Sequence, residues 1–477
     1  MSISDYEAVI GLEVHTELKT ESKIFCACST RFGAPPNTQC CPVCLGLPGA
    51  LPVLNRRAVE LAVMAGLALG CTVKQNSRFD RKQYFYPDLP KAYQISQGDA
   101  PICEGGHLSI LCEDGTEREI GIARIHMEED AGKLIHTREG TLIDCNRCGV
   151  PLIEIVSLPD LRSGAEAAAY LKALRGVLVA CKISDCRMQE GQFRCDVNIS
   201  VRKKGSAEMG VRTEIKNVNS FAFVEKAIQY EIGRQTALLD QGETVRSETR
   251  RYDSVGGKTV RMRIKERAED YRYLTETDLL PLRLHDAEVE RLRSLLPELP
   301  EERVERLMSE YHVSRPDAKR LSGDERLLSY FEAVAKGTDY PLLSCHLILT
   351  ELLRFSGGEN FEPVISPEHL SELCQLAGEQ VINSATVKKL LLRLMKEDFS
   401  PRECVVSEEL WQIRERDALL PLVEDVLEEM PGAVLDYRKG KTAALRALQG
   451  KLMAKSVGRA DPELGEVLLL ELLQGGK

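Results

Sequence analysis

The sequence predicts an α+β N-terminal body followed by all-α domains, and three observations carry that reading. The stretch AVIGLEVHTEL (8–18) alternates with the period of a half-buried strand. The runs FRCDVNISVR and GVRTEIKNV flank the turn signal KKGSAEM and read as a hairpin. After LLPELPEER, from about Glu301, strand signals give way to a helical pattern with short loops. The chain divides on this basis into 1–294, 295–405 and a small helical tail, 406–477.

In chain order, the first strand turns Val9, Gly11, Glu13, His15 and Glu17 one way and Ala8, Ile10, Leu12, Val14 and Leu18 the other. Only Thr16 interrupts its apolar side. Asn55 marks a turn before an amphipathic helix, RRAVELAVMAGLALG. Two more helices are predicted in SGAEAAAYLKALRGVLVA and, behind an Asn219/Ser220 cap, in SFAFVEKAIQYEIGRQTALL.

Composition bounds the function. With 477 residues the chain has length for two to four domains, and 43% apolar with 29% charged residues is ordinary for a globular protein. The longest mostly apolar run, 61–73, is too short for the ~20 residues that cross a bilayer. The opening MSISDYEAV lacks a basic n-region and an apolar core, which predicts a cytoplasmic protein with no membrane partner. Sixteen cysteines in that compartment are reduced thiols, and clustered ones read as metal ligands. A net charge of −10 excludes a wholly electrostatic nucleic-acid binder, so any such contact needs a local basic patch.

The clearest cluster is FCACSTRFGAPPNTQCCPVC, in which Cys26, Cys28, Cys41 and Cys44 are spaced as C-x-C and C-x-x-C across a Gly/Pro/Asn loop. Four soft ligands with no carboxylate or imidazole among them suit a closed, structural tetrahedral zinc site, with Cys40 spare. The plain alternative is a set of reduced loop thiols. A second C-x-x-C at Cys145 and Cys148 is either incidental or a competing ligand pair.

Acidic residues on otherwise buried strands point elsewhere. Glu13 and His15 share a face; Arg124, His126, Glu128 and Asp130 alternate; and Glu154 interrupts the apolar run VPLIEIV, where an unpaired charge costs several kcal/mol. Asp196, Asn198 and Ser200 line one hairpin strand, and Arg212, Glu214 and Lys216 the other. Each alone reads as a solvated face or half an ion pair. Together, hard oxygen donors with an imidazole and cationic neighbours describe a Mg2+–phosphate site. No P-loop supplies one: GGKT at 256–259 has Tyr252 where Walker A needs its first glycine, and GKT at 440–442 has Leu435. The first of these reads as a hairpin turn.

FDRKQYFYPDLPKAYQISQ (79–97) is either an anchored surface loop or the lining of a polar passage built on Lys82, Asp88 and Lys91. In the tail, 436–460 holds seven Lys/Arg against one acid. Leu445, Leu448 and Leu452 form its apolar stripe, which leaves Lys451 and Lys455 on an outer face that suits a solvated helix or a phosphate contact equally.

These segments together resemble the GatB family, the B subunits of bacterial-type aspartyl/glutamyl-tRNA amidotransferases. IGLEVHTEL (10–18), FDRKQYFYPDLPKAYQISQ (79–97), HMEEDAGK (126–133), PLIEIVSLPD (151–160), RCDVNISVR (194–202), TEIKNVNSF (213–221) and DYRYLTETDLLPL (270–282) carry the resemblance, in family order, over essentially the whole chain. It implies an antiparallel-sheet cradle similar to glutamine synthetase and guanido kinases, then a helical domain and a tRNA-binding tail. It implies ATP- and Mg2+-dependent phosphorylation of the side-chain carboxylate of Glu-tRNA(Gln) or Asp-tRNA(Asn). Ammonia from a glutaminase A subunit then completes the amide, in a heterotrimer braced by a small C subunit. Carried over by motif, Glu13, His15, Glu128 and Glu154 resemble metal ligands, and Asp196 and Glu214 companions in the same cluster. Lys82 and Lys91 resemble tunnel-lining residues. Zinc accompanies family members that have the four cysteines, whereas Cys145 and Cys148 are not part of the usual pattern. The rival expectation is a zinc-stabilised RNA-binding protein without catalysis, its acids reduced to ion pairs.

Overall fold

A computed structural model describes residues 5–218, 220–264, 271–355 and 362–475. Asn219 of the expected helix cap and Asp270 of DYRYLTETDLLPL lie outside the described residues. The chain forms two compact units, 1–299 and 300–477.

The first unit is organised by a ten-stranded sheet. Its strands are β1 (Tyr6–Glu17), β2 (Thr72–Val73), β3 (Cys103–Glu104), β4 (His107–Leu111), β5 (Glu117–Glu129), β6 (Pro151–Ser157), β7 (Phe193–Lys203), β8 (Thr213–Val218), β9 (Glu248–Asp253) and β10 (Lys258–Ile264). The order is β10-β9-β8-β7-β1-β6-β5-β3-β2, with β4 paired to β5. Every pairing is antiparallel except β8 with β9. That exception has a simple cause: a 20-residue helix, Phe221–Asp240, connects the two strands and returns the chain in the same direction.

Ile10, Leu12 and Val14 point into the main core, as the alternation predicts. Thr16 on the same side is 0% exposed, and its hydroxyl bonds to Ser184 Oγ at 3.0 Å, so a polar group is buried without loss. Helices α1 (Arg56–Ala68), α2 (Gly164–Ala180) and α3 (Phe221–Asp240) contribute to that core. Asn55 caps α1 by accepting from the Arg57 and Ala58 amides, while Ser163 and Ser220 cap α2 and α3. The α1 helix is buried on nearly all sides rather than amphipathic, because it packs against both β5 and α4 (Asp286–Arg293).

The segment 79–97 is not a plain loop. Asp80–Gln83 and Tyr93–Ser96 pair antiparallel, and Leu274–Thr275 adds a third strand beside them. GGKT falls on the β9–β10 turn, where Thr259 Oγ1 donates to Glu231 and accepts from Arg250 Nε at 2.9 and 2.8 Å. That hydroxyl is spent on a buried ion network.

The second unit is helical: α5 (Pro300–Tyr311), α6 (Arg315–Ser322), α7 (Glu325–Lys336), α8 (Pro341–His346, continued by a π turn, Leu347–Leu352), α9 (Pro367–Gly378), α10 (Ser384–Leu394), α11 (Pro401–Ser407), α12 (Arg416–Glu429), α13 (Pro431–Arg438), α14 (Ala443–Lys455) and α15 (Pro462–Gly475). Two apolar clusters hold it together, one from Val304 to Leu410 and one from Leu419 to Leu473. No described helix is long and apolar enough to cross a membrane.

Candidate active site and metal centres

The site is a consequence of sheet register. Glu13 and His15 project from β1 on the face away from Leu12 and Val14. Pairing sets Glu13 opposite Asp196 on β7 and His15 opposite Glu154 on β6. Glu154 in turn faces His126 on β5, and Asn198 on β7 faces Glu214 on β8. Residues far apart in the chain thereby share one polar surface. The six predicted acid-site residues come together as two trios rather than one cluster: His15, Glu128 and Glu154; and Glu13, Asp196 and Glu214. In each, one ligand atom per residue lies within 4.8 Å of the others.

The first trio is electrostatically balanced. His126 Nε2 sits 3.0 Å from Glu154 Oε2 and 3.2 Å from Glu128 Oε1, and His15 Nε2 lies 3.4 Å from Glu154 Oε2. Burial disfavours the Glu154 charge, but His126 and His15 outweigh it and hold the carboxyl well below its usual range. Glu128 is likewise held down to about 2, against burial, by the His126 hydrogen bond and the charge of Lys82. Ser96 Oγ and Gln94 Nε2 donate to it at 2.8 and 3.2 Å. Burial works against the His126 charge, yet Glu154 and Glu128 raise it to about 9.

In the second trio Lys216 is the counterion, 3.0 Å from Asp196 Oδ2 and 3.3 Å from Glu214 Oε1. Thr249 Oγ1 donates to Glu214 at 3.0 Å, and Asn198 Nδ2 to Glu13 at 2.9 Å. Burial and the neighbouring charge of Glu154 push the Glu13 carboxyl up. Asn198 Oδ1 is buried with no hydrogen-bond partner among the described residues, a spare oxygen donor beside a carboxylate trio. Hard oxygen atoms, one imidazole and that orphaned carbonyl fit a divalent cation such as Mg2+.

Lys82 and Lys91 both reach this region. Lys82 Nζ lies 5.1 Å from the centre of the Tyr271 ring. Burial opposes its charge, but Glu128 and the other nearby acidic groups hold its pKa above the ordinary lysine value. Lys91 forms a 2.5 Å ion pair with the buried Glu129, whose other oxygen accepts the Ile95 amide at 2.9 Å. A cavity of about 250 Å³ opens beside that pair, walled by Arg81, Tyr93 and the cysteine loop. Gly46 of that loop has φ +66, and a Cβ there would stand 2.4 Å from Lys91 Cγ. Only glycine serves both the turn and the close approach.

Cys26, Cys28, Cys41 and Cys44 bring their sulfurs within 4.8 Å of one another. An all-thiol set with nothing else in its group fits closed tetrahedral zinc. The Cys26 hydrogen bond lowers Cys44 to about 4, with the Cys41 amide and Lys23 assisting against burial. Cys40 turns away to Asn146, and Cys145 and Cys148 are not in the four-sulfur group. Their segment clamps the loop instead. Asn37 accepts the Cys145 amide at 2.8 Å and donates to Ile143 O at 2.9 Å, while Asn146 accepts the Gln39 amide at 2.9 Å.

In the tail, Leu448 and Leu452 are buried and Leu445 packs against them, as the apolar stripe requires. Lys451 and Lys455 do share an outward face, where both are engaged in ion pairs. Lys451 pairs with Glu429 at 3.0 Å, and Lys455 with Asp425 and Glu429 at 2.7 and 2.8 Å. The cause is α12, whose acidic edge packs beside α14.

Sequence reasoning passed over Gln94 and Ser96, which support Glu128, and Lys23, which is fully buried. The period of two in YQISQ was a signal for the first pair; nothing in SKIFC marks the lysine.

A family profile described as "GatB/GatE catalytic domain" matches residues 8–290, and one described as "GatB domain" matches residues 329–473. The chain is 48% identical over 472 residues, 98% of its length and 99% of the relative's, to a protein of Caldanaerobacter subterraneus subsp. tengcongensis. It is 45% identical over 470 residues to one of Clostridium tetani, covering 98% of each chain. It is 46% identical over 478 aligned positions to one of Caldicellulosiruptor bescii, covering 98% and 99%. All three relatives are named as B subunits of aspartyl/glutamyl-tRNA(Asn/Gln) amidotransferase.

Proposed function

The chain belongs to the GatB family, and from that premise we propose that it serves as the B subunit of an aspartyl/glutamyl-tRNA(Asn/Gln) amidotransferase. It activates the side-chain carboxylate of Glu-tRNA(Gln) or Asp-tRNA(Asn) with ATP and amidates it with ammonia from a glutaminase A subunit. A small C subunit makes up the heterotrimer. The N-terminal sheet then serves as a cradle of the glutamine synthetase and guanido kinase kind.

The chemistry explains the equipment. A carboxylate is a poor acylating agent because its leaving group is oxide. Transfer of the γ-phosphoryl group forms an O–P bond and releases ADP, and the oxygen becomes part of a phosphate leaving group. Ammonia then attacks the acyl carbon, the C–O bond to phosphate breaks, and one proton is lost. His15, Glu128 and Glu154 would hold Mg2+, with Glu13, Asp196 and Glu214 as the flanking acidic set. Bound there, Mg2+ supplies charge neutralisation for the phosphoryl group in transfer. Lys82 places an ammonium toward the same oxygens, which favours charge that develops in the transition state. Lys91 and Glu129 border a cavity suited to carry uncharged ammonia. Lys451 and Lys455 contact the tRNA backbone once released from α12, and zinc on Cys26, Cys28, Cys41 and Cys44 keeps the loop rigid.

One observation supports this reading above the others: His15, Glu128 and Glu154 come from three strands, yet their ligand atoms lie within 4.8 Å. The test is amidation by the chain assembled with A and C subunits. Amide formation on misacylated tRNA with one ADP released per amide is expected. A complex that binds tRNA but forms no amide with ATP and glutamine present overturns the reading.

A further inference from the structure

Lys23 is 0% exposed, a burial that lysine tolerates only when its charge is matched. Its ammonium has three donors, and all three are used: on Gln39 O at 2.8 Å, Cys145 O at 3.4 Å and Cys44 Sγ at 3.5 Å. None of these acceptors is a carboxylate. Two carbonyl dipoles and a protonated thiol would leave a buried cation without a counterion, at a cost of several kcal/mol. A thiolate at Cys44 removes that cost, and four thiolates around a divalent cation remain dianionic, so the site in turn lacks a positive neighbour.

We infer that Lys23 is the counterion of the four-cysteine metal site, a positioning residue that reduces its net negative charge and fixes Cys44 as a ligand. The inference rests on the metal reading of Cys26, Cys28, Cys41 and Cys44. It also gives the second C-x-x-C a role without sulfur ligation. The Cys145 carbonyl receives the same ammonium, so Lys23 joins the metal loop to the segment that Asn37 and Asn146 clamp. Metal retention and loop attachment are thereby one device.

The charge argument makes a prediction that simple space filling does not. With metal bound, loss of the ammonium leaves a dianionic site uncompensated; with metal removed, the ammonium has no dianionic site to offset, and its loss costs less. Lys23→Met in the full chain is therefore expected to lose zinc to excess chelator roughly tenfold faster than wild type, the usual scale for a residue that supports a metal ligand. It lowers the melting temperature of the zinc-loaded protein by more than that of the chelator-treated protein. Equal destabilisation of both forms, or an unchanged rate of zinc loss, overturns the inference. Should Lys23→Met not fold, Lys23→Arg and Lys23→Gln decide: both keep donors, only the first keeps charge, and only the first should retain metal at the wild-type rate. The metal reading fails separately, if the wild-type chain loaded with zinc and then desalted holds no stoichiometric zinc.

Discussion

His15 and Glu154 stand directly opposite one another on adjacent antiparallel strands, with Nε2 3.4 Å from Oε2. That pairing turns a charge inside an apolar strand into a tolerated one, and it is the pivot from which the first trio is assembled. The second imidazole on Glu154, His126, sets the pH behaviour of the cation-free state.

His126 is raised to about 9 in the folded chain, against ~6.5 for a free histidine. A raised value means the folded state binds the proton more tightly. Its stabilisation, of order 3 kcal/mol, is therefore complete below pH ~6.5 and lost as pH rises through the folded value. Urea unfolding of the chain in EDTA should weaken from pH 6.5 to 9, and His126→Gln should flatten that slope. An unchanged slope in the variant contradicts the assignment.

Lys91 and Glu129 are a buried pair that costs more to break than to replace. Lys91→Met alone leaves Glu129 charged without its counterion and should cost about 3–5 kcal/mol. Adding Glu129→Gln should recover much of that loss in urea unfolding. Strict additivity of the two changes would show that the pair is not coupled.

Gly46 links the cysteine loop to Lys91. Gly46→Ala must strain a backbone at φ +66 and displace the Lys91 stem, at a cost of about 1–3 kcal/mol. In the assembled enzyme, glutamine-dependent amidation should fall while tRNA-dependent ATP turnover is largely kept. Equal loss of both would mean that the loop serves folding alone.

The tail lysines are ion-paired to acids of α12. If Lys451 and Lys455 each neutralise a tRNA phosphate, replacing both with Ala should reduce the salt dependence of log K by roughly 1.5–2. Glu429→Gln should tighten binding several-fold, because it frees Lys451 and leaves Lys455 with Asp425 alone. Filter binding across a salt series measures both, and a salt slope unaltered by the double substitution rules out the contact.

What could be read from the sequence follows from the range of the interaction. The period of two in β1, the β7–β8 hairpin and the turn at GGKT are local properties, and all are present in the structure. The acids on strands were visible because carboxylates are out of place in apolar runs. Their division into two trios was not, since it depends on the registers of β5, β6, β7 and β8 against β1 and one another. The same limit applies to Lys451, whose outward position is a helical periodicity but whose partner Glu429 is set by helix packing. Lys23 is the extreme case: its burial depends on Cys145, more than a hundred residues away.

The most direct test is tRNA-dependent ATP turnover by the assembled complex carrying Glu154→Gln, with the glutaminase activity of its partner measured in parallel. Loss of the carboxylate that anchors the first trio should lower ATP turnover by roughly 100-fold or more, on the scale of removing a preorganised transition-state contact, with the partner glutaminase still active. Wild-type ATP turnover in that variant would contradict the assignment of His15, Glu128 and Glu154 as the Mg2+ site.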